Sequence, residues 1–174
     1  VDPEGGFGAA AAPKPPSGST LPRLELVVRP DWVDYNFHMS DFRYVQAFGE
    51  AMDALYRRMG VDDAYRGSGR MFYTVESQVR HLGEARVGEP LYATTQLLRV
   101  DEKRLHVLHR LHRSAGDMLI AAGEQMLLHV DTAAAKAAPM DADLLGRFES
   151  LYEAHADLPV PVEAGKPVGS RVKR

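Results

Sequence analysis

A long helix followed by a run of strand-forming segments constrains the fold of this chain more than any other feature. Ser40 is a suitable N-cap and Gly60 is a natural helix stop. Between them, apolar residues recur at helical spacing, at Tyr44, Val45, Phe48, Ala51, Met52, Leu55 and Met59. Because this apolar face is wide for a surface helix, we expect a sheet to wrap around it.

The segments on either side of the helix predict the remaining architecture. One weakly alternating strand precedes it, and four β-rich segments with short polar connections follow, before a second apolar-striped helix. The predicted strands are 24–29, 71–82, 91–100, 105–113 and 118–130, with a polar loop at 61–70 and the second helix at 141–155, packed on the outside or on a partner. Hairpin-linked strands form antiparallel sheets. We therefore predict an α+β fold of the hotdog type, an antiparallel sheet wrapped around a long central helix.

Both ends of the chain differ in composition from this folded region, which we place at residues 23–157. Residues 1–22 are rich in Gly, Ala, Pro and Ser without periodicity, so we predict a flexible tether or linker. Residues 158–174 contain three prolines and no pattern, so we predict an extended or disordered tail.

Composition limits the classes of function. A formal net charge of −3 over 174 residues leaves no basic excess for nucleic-acid binding. The chain has no cysteine, which excludes thiolate catalysis and disulfides and fits a reducing compartment. No apolar run approaches the ~18 residues of a membrane span, and no signal peptide is evident. We expect a cytoplasmic protein that binds neither nucleic acid nor membranes.

An acid and a histidine lie directly before the long helix. Asp34 and His38 precede a helix start, where unpaired backbone N–H groups attract developing negative charge. This order suits attack on a carbonyl, although an Asp in such a position commonly caps a helix or holds a turn. The sequence alone leaves both roles open.

The run Asp34-Tyr35-Asn36-Phe37-His38-Met39 and the helix after it resemble the acyl-CoA thioesterases of the hotdog superfamily, in the group related to 4-hydroxybenzoyl-CoA thioesterase. The resemblance covers roughly residues 24–130. Within it, Ser40-Asp41 and the 124–130 segment resemble the thioesterases associated with L-carnitine dehydrogenase, which hydrolyse betainyl-CoA in carnitine breakdown. Phe37 stands where the superfamily usually has glycine, and Ser40 where many members have asparagine.

The resemblance implies a thioester hydrolase acting on a short acyl-CoA, best matched by betainyl-CoA, without a metal or redox cofactor. It also implies at least a homodimer, with dimer and tetramer both open, and in some members fusion to or association with a dehydrogenase. The rival interpretations are a thioesterase for aromatic or fatty acyl groups, a hydratase on the same fold, and a non-catalytic acyl-CoA-binding or oligomerising module.

Site roles follow from the motif. Asp34 would attack the thioester carbonyl or deprotonate a water, and backbone N–H groups near Met39–Asp41 would stabilise the oxyanion. His38 would orient Asp34 or water, or merely bond to the turn, and Asn36 would hold the turn or the carbonyl.

Substrate contacts can also be assigned from residue type. An acyl group carrying a trimethylammonium favours aromatic faces, and the candidates are Trp32, Tyr35, Phe37 and Tyr73. The candidates for holding the CoA phosphates are Arg80, Arg86, Lys103 and Arg104. His106, His109 and His112 do not predict a metal site, because strand alternation points His109 away from the other two.

Overall fold

The computed structural model describes residues 21–170, so the predicted tether falls almost wholly outside the described residues, as do residues 171–174. The strands are β1 (Arg23–Val27), β2 (Arg70–His81), β3 (Pro90–Val100), β4 (Arg104–Arg113), β5 (Met118–Asp131) and β6 (Lys136–Ala137). The helices are α1 (Asp41–Met59), α2 (Asp63–Gly67) and α3 (Ala142–Ala154). The predicted order of strand, long helix, four strands and helix is confirmed. The short α2 lies inside the predicted 61–70 loop, and β6 is an addition to the prediction.

All strand pairs are antiparallel, and the sheet runs β1-β3-β4-β5-β2, with β6 pairing with the end of β5. Its inner face packs on α1, whose Phe48 is fully buried. Gly123 of β5 lies directly against this ring, since a Cβ atom at that position would be 2.4 Å from it. The predicted hotdog arrangement is therefore the observed one.

Helix α1 begins and ends where its capping signals predict. Ser40 is the N-cap residue with extended backbone, although its side chain makes no capping hydrogen bond. Gly60 ends the helix in the left-handed conformation (φ 83°), which glycine adopts most readily. These two positions fix the start of α1 beside the turn that precedes it.

Helix α3 packs within the chain. Its Leu144 and Phe148 are fully buried with Met52 and Leu55 of α1 in one core cluster. Of the two placements left open for this helix, the structure shows it covering one end of α1.

The residues after α3 lie along the outer face of the sheet, and we call residues 156–170 the C-terminal strap. Arg80 of β2 donates to the main-chain oxygens of Lys166 (2.6 Å) and Pro167 (3.1 Å). The Gly165 N–H donates to the carboxylate of Glu124 (2.8 Å). The strap thus covers part of the face that points away from α1. No helix among residues 21–170 is long and apolar enough to cross a membrane.

Candidate active site

The chain makes a tight turn immediately before α1. The Ser40 N–H donates to the Trp32 carbonyl (2.9 Å), and Val33 forms an antiparallel bridge with Met39. We call residues 33–39 the Asp34 turn. These bonds fix the base of the turn directly before the N-terminal end of α1, where the sequence predicts it.

The Asp34 carboxylate has a structural role inside this turn. Its Oδ1 accepts the backbone N–H of Asn36 (2.8 Å) and, at longer range, that of His38 (3.3 Å). The Asp34 side chain is exposed, and its Oδ2 has no hydrogen-bond partner among the described residues. One oxygen therefore orders the turn while the other faces solvent, so the structural and catalytic roles of Asp34 are compatible.

His38 lies beside a carboxylate that the sequence did not identify. Its Nε2 is 3.3 Å from the carboxylate of Glu84, within ion-pair range although not aligned for a hydrogen bond. The Met39 N–H donates to Ala85 O (2.8 Å), and His38 bridges Arg86 through the backbone. These bonds hold the 82–89 loop against the Asp34 turn. The contact joins residues 46 apart, so local spacing gave no signal for it.

Two further contacts fix the same loop to the body of the protein. The Tyr44 hydroxyl of α1 donates to the Gly83 carbonyl (3.3 Å), and burial raises the pKa of this phenol. Arg113 donates to the Glu84 carbonyl (2.5 Å) and to the Glu89 carboxylate (2.8 Å). The position of Glu84 beside His38 is thus set by β4 and α1 together.

Most backbone donors at the helix start are already occupied. Met39 and Ser40 donate to carbonyl groups, and the Phe42 N–H donates to the Asp41 carboxylate (2.7 Å). Among the predicted donors at Met39–Asp41, the Asp41 N–H alone lacks an acceptor within the described residues. It is the remaining candidate for oxyanion stabilisation.

The four aromatic candidates have different environments. Tyr35 and Phe37 stand at the tip of the turn with 89% and 69% of their surface exposed. Trp32 is fully buried, and the Arg29 guanidinium covers its ring at 4.0 Å, so its ring is already paired with a cation from the chain itself. Tyr73 is half exposed near the start of β2, and the opposite end of that strand adjoins the turn. About nine residues of strand, roughly 30 Å, separate it from the turn within one chain.

The four candidate CoA cations are also dispersed. Arg86 is exposed next to His38, and its guanidinium has no acceptor among the described residues. Arg80 is bound to the C-terminal strap on the outer face. Lys103 pairs with Glu102 (3.2 Å) and Arg104 with Asp101 (2.8 Å).

Lys103 and Arg104 lie at the start of β4, and the other end of that strand, at Arg113, contacts the 82–89 loop. The strand length of roughly 30 Å therefore separates them from the Asp34 turn in a single chain. Burial opposes ionisation of Asp101, but hydrogen bonds from Arg104 and Lys103 outweigh it and lower the pKa of Asp101. These two cations thus help to build the β3–β4 turn.

The three β4 histidines occupy opposite faces of the sheet, as the strand spacing predicts. His109 faces α1, where it stacks on Phe48 and shares a hydrogen bond of 2.9 Å with Thr95. His106 pairs with Glu124 on the outer face (2.7 Å), and His112 stacks on Tyr92. Complete burial lowers the pKa of His109 to about 4. His109 is therefore a neutral core residue at neutral pH.

A curled sheet around one helix, with an acid-bearing turn at the start of that helix, defines a hotdog protein of the thioesterase type. Residues 28–148 match the thioesterase-like superfamily, and the chain belongs to that family.

Two relatives differ in how much of their own length this chain matches. It is 47% identical over 148 residues to the L-carnitine dehydrogenase/betainyl-CoA thioesterase of Rhizobium meliloti (strain 1021), covering 85% of this chain and 30% of that protein. It is 41% identical over 150 residues to the betainyl-CoA thioesterase of Pseudomonas aeruginosa (strain PAO1), covering 86% and 94%. The chain thus spans about a third of the first relative and nearly all of the second.

Solved structures agree with this assignment. A candidate thioesterase from Pseudomonas putida KT2440 superposes with a TM-score of 0.75 at 38% identity, covering 85% of this chain and 95% of that one. A Staphylococcus aureus protein solved in complex with CoA has a TM-score of 0.83 at 18% identity, covering 91% and 100%. At 18% identity, the similarity to the Staphylococcus aureus protein shows a shared fold and nothing more.

Proposed function

We propose that this chain is an acyl-CoA thioesterase that hydrolyses betainyl-CoA to the free acid and CoA. The observation that carries the proposal is the Asp34 turn, which presents one free carboxylate oxygen at the N-terminal end of α1. The substrate rests on the relatives named for betainyl-CoA, which are 41–47% identical to this chain.

Two routes fit this geometry. In one, Asp34 attacks the thioester carbonyl, the carbon–sulfur bond breaks, and water then hydrolyses the mixed anhydride. In the other, Asp34 takes a proton from a water that attacks the carbonyl directly. In both, the CoA thiolate leaves and is protonated, one water is consumed, and the carboxylate of Asp34 is regenerated as the free acid is released. The Asp41 N–H would stabilise the oxyanion, and His38 beside Glu84 would orient the carboxylate or the water.

Arg86 is the best placed of the four cations for the CoA phosphates. It is adjacent to His38 through the backbone bridge and is exposed. Arg80, Lys103 and Arg104 already have partners within the chain. We propose Arg86 as the first CoA contact.

We also propose that two copies pair through β2. This strand is 12 residues long, lies at the sheet edge and exposes Tyr73 and Val75. A free strand edge of this kind is a template for strand pairing. Antiparallel pairing would bring the Tyr73 end of one copy's strand beside the His81 end of the other, nearer to the Asp34 turn. The relatives that combine thioesterase and dehydrogenase in one name support a dehydrogenase as the associated or fused partner.

A thiol-release assay across acyl groups tests the proposed reaction. Betainyl-CoA, an aromatic acyl-CoA and a long-chain fatty acyl-CoA are compared at equal concentration. We expect CoA release from betainyl-CoA to be the fastest. Faster release from either of the other two would assign a different substrate. Binding of acyl-CoA without any thiol release would instead support the non-catalytic binding module.

A further inference from the structure

Phe37 has a backbone conformation that large side chains rarely adopt. Its φ angle is 63°, in the left-handed region that favours glycine. The other non-glycine residues with positive φ, Asp117 and Ala135, have smaller side chains. Phe37 is therefore the bulky exception among the described residues.

The hydrogen bonds of the turn account for this conformation. The Phe37 N–H donates to the Asp34 carbonyl (3.0 Å), while the Asp34 carboxylate accepts the N–H groups of Asn36 and His38 on either side. The Asp34 N–H donates in turn to the His38 carbonyl (2.9 Å). Since the catalytic candidate itself requires this geometry, position 37 would be filled with least strain by glycine.

Packing in the core does not explain the phenylalanine. Its side chain is 69% exposed, and its ring makes no ring–ring or cation contact within residues 21–170. Strained residues with no packing role often serve a site. Phe37 follows Asp34 by three residues in the same tight turn, and the Oδ2 atom of Asp34 is free. The exposed Tyr35 belongs to this turn as well.

Aromatic faces and a carboxylate together form the chemistry that binds a quaternary ammonium group. We infer that Phe37 is the specificity-determining residue that recognises the positive charge of the acyl group. This inference rests on the proposed function and deepens it, because it assigns the choice between a cationic and a neutral acyl group to one side chain. The strain in the turn is retained because the ring contacts the substrate.

The test uses two thioesters of the same shape and different charge. Betainyl-CoA is compared with 3,3-dimethylbutanoyl-CoA, in which carbon replaces the ammonium nitrogen. The native protein, Phe37→Gly and Phe37→Leu are assayed for kcat/KM on both substrates, and their melting temperatures are measured. Leu keeps the apolar bulk and the strained backbone without the aromatic face.

We expect Phe37→Gly to melt at or above the melting temperature of the native protein. Its ratio of kcat/KM for betainyl-CoA to kcat/KM for the neutral analogue should fall about tenfold, which is equivalent to about 1.4 kcal/mol. Phe37→Leu should lose the same preference without a gain in melting temperature. An unchanged preference in either variant would overturn the inference. A lower melting temperature for Phe37→Gly would also overturn it, because that result indicates a structural role for the ring.

Binding measurements separate this inference from the proposed reaction. The two substrates are replaced by thioethers, in which CH₂ stands in place of the carbonyl, and their affinities are measured by calorimetry. If neither thioester is hydrolysed, but the native protein prefers the cationic thioether and Phe37→Gly does not, the inference holds while the proposed hydrolysis fails. Equal affinity of the native protein for both thioethers would overturn the inference.

Discussion

Gly123 of the sheet packs directly against Phe48 of the central helix. A Cβ atom at this position would lie 2.4–2.9 Å from three atoms of the Phe48 ring, and the ring is itself fully buried. We predict that Gly123→Ala lowers the free energy of unfolding by about 1–3 kcal/mol, because the core must shift to admit the methyl group.

Gly146→Ala provides a matched control for this prediction, which denaturant unfolding can check. Gly146 lies in α3, and a Cβ atom there meets nothing within 4 Å. The control should be neutral or more stable by up to about 1 kcal/mol. Equal stability of the two variants would show that α1 and β5 are not packed as described.

His109 makes stability depend on pH. Its folded pKa of about 4 is below the ordinary value of 6.5, so the unfolded chain takes up the proton first as the pH falls. The contribution of this residue is complete above pH 6.5 and is lost progressively between pH 6.5 and 4, by roughly 3 kcal/mol in all. His109→Gln should weaken this acid sensitivity in urea unfolding measured at pH 7.5 and pH 5.

The variant should not abolish the pH dependence completely. Burial also lowers the pKa of His112 and that of His155, which contribute in the same direction. If the variant and the native protein lose the same stability between the two pH values, His109 is not the buried neutral group described above.

The sequence around the Asp34 turn was enough to predict part of the site. Asp34 and His38 meet in one turn because they are close in sequence, and the following helix is long and well capped. Glu84 could not be predicted, since only the paired backbones of two loops bring it to His38. Arg29 covers Trp32 across a single local turn, but the ion pair that joins Arg29 to Glu50 of α1 (3.0 Å) depends on tertiary packing.

At the scale of elements, the exposed edge of β2 is the feature with the clearest consequence. Val75 is 56% exposed on this strand, at the bulge between Thr74 and Glu76. If the proposed β2 pairing forms the dimer, Val75→Lys should shift the protein toward monomer and lower kcat/KM, because a lysine on an edge strand opposes strand pairing. Light scattering measures the mass against the 19.2 kDa of one chain.

Val160→Lys is the control for the edge-strand variant. Val160 is 69% exposed on the C-terminal strap, next to Pro159, whose carbonyl accepts a hydrogen bond from Gln96 of β3 and not from β2. This control should keep the native mass and activity. A native protein that is monomeric and fully active would contradict the proposed pairing.

The elements themselves were largely predictable, because their signals are local. Cap and stop residues fixed α1, and short polar turns separated the strands. Helix α2 was missed because five residues are too few to show periodicity, although Asp62 caps it by accepting the Tyr65 N–H (2.9 Å). The register shifts in the sheet depend on pairing between strands and leave no local pattern.

At the scale of the whole molecule, Arg80 joins the sheet to the C-terminal strap. It donates to three main-chain oxygens and to the Ser170 hydroxyl. We predict that Arg80→Gln lowers the free energy of unfolding by about 1–3 kcal/mol, since several hydrogen bonds to a charged group are lost. The KM for betainyl-CoA should remain near the native value.

Arg86→Gln is expected to change the KM for betainyl-CoA and not the stability, the reverse of Arg80→Gln. Its guanidinium has no acceptor among the described residues and lies beside the Asp34 turn, so the variant should raise KM with little change in stability. A raised KM for Arg80→Gln without destabilisation would show that Arg80, and not the strap contact, serves CoA.

The role of the Asp34 carboxylate in thioester hydrolysis is tested by measuring CoA release by Asp34→Asn. Asn can still accept the backbone N–H bonds of the turn, so the fold should be kept. Asp157→Asn, an exposed carboxylate on the strap, is the control. We predict that Asp34→Asn releases CoA from betainyl-CoA at least about 100-fold more slowly than the native protein, while the control is unchanged. Release by Asp34→Asn at near the native rate would contradict the assignment.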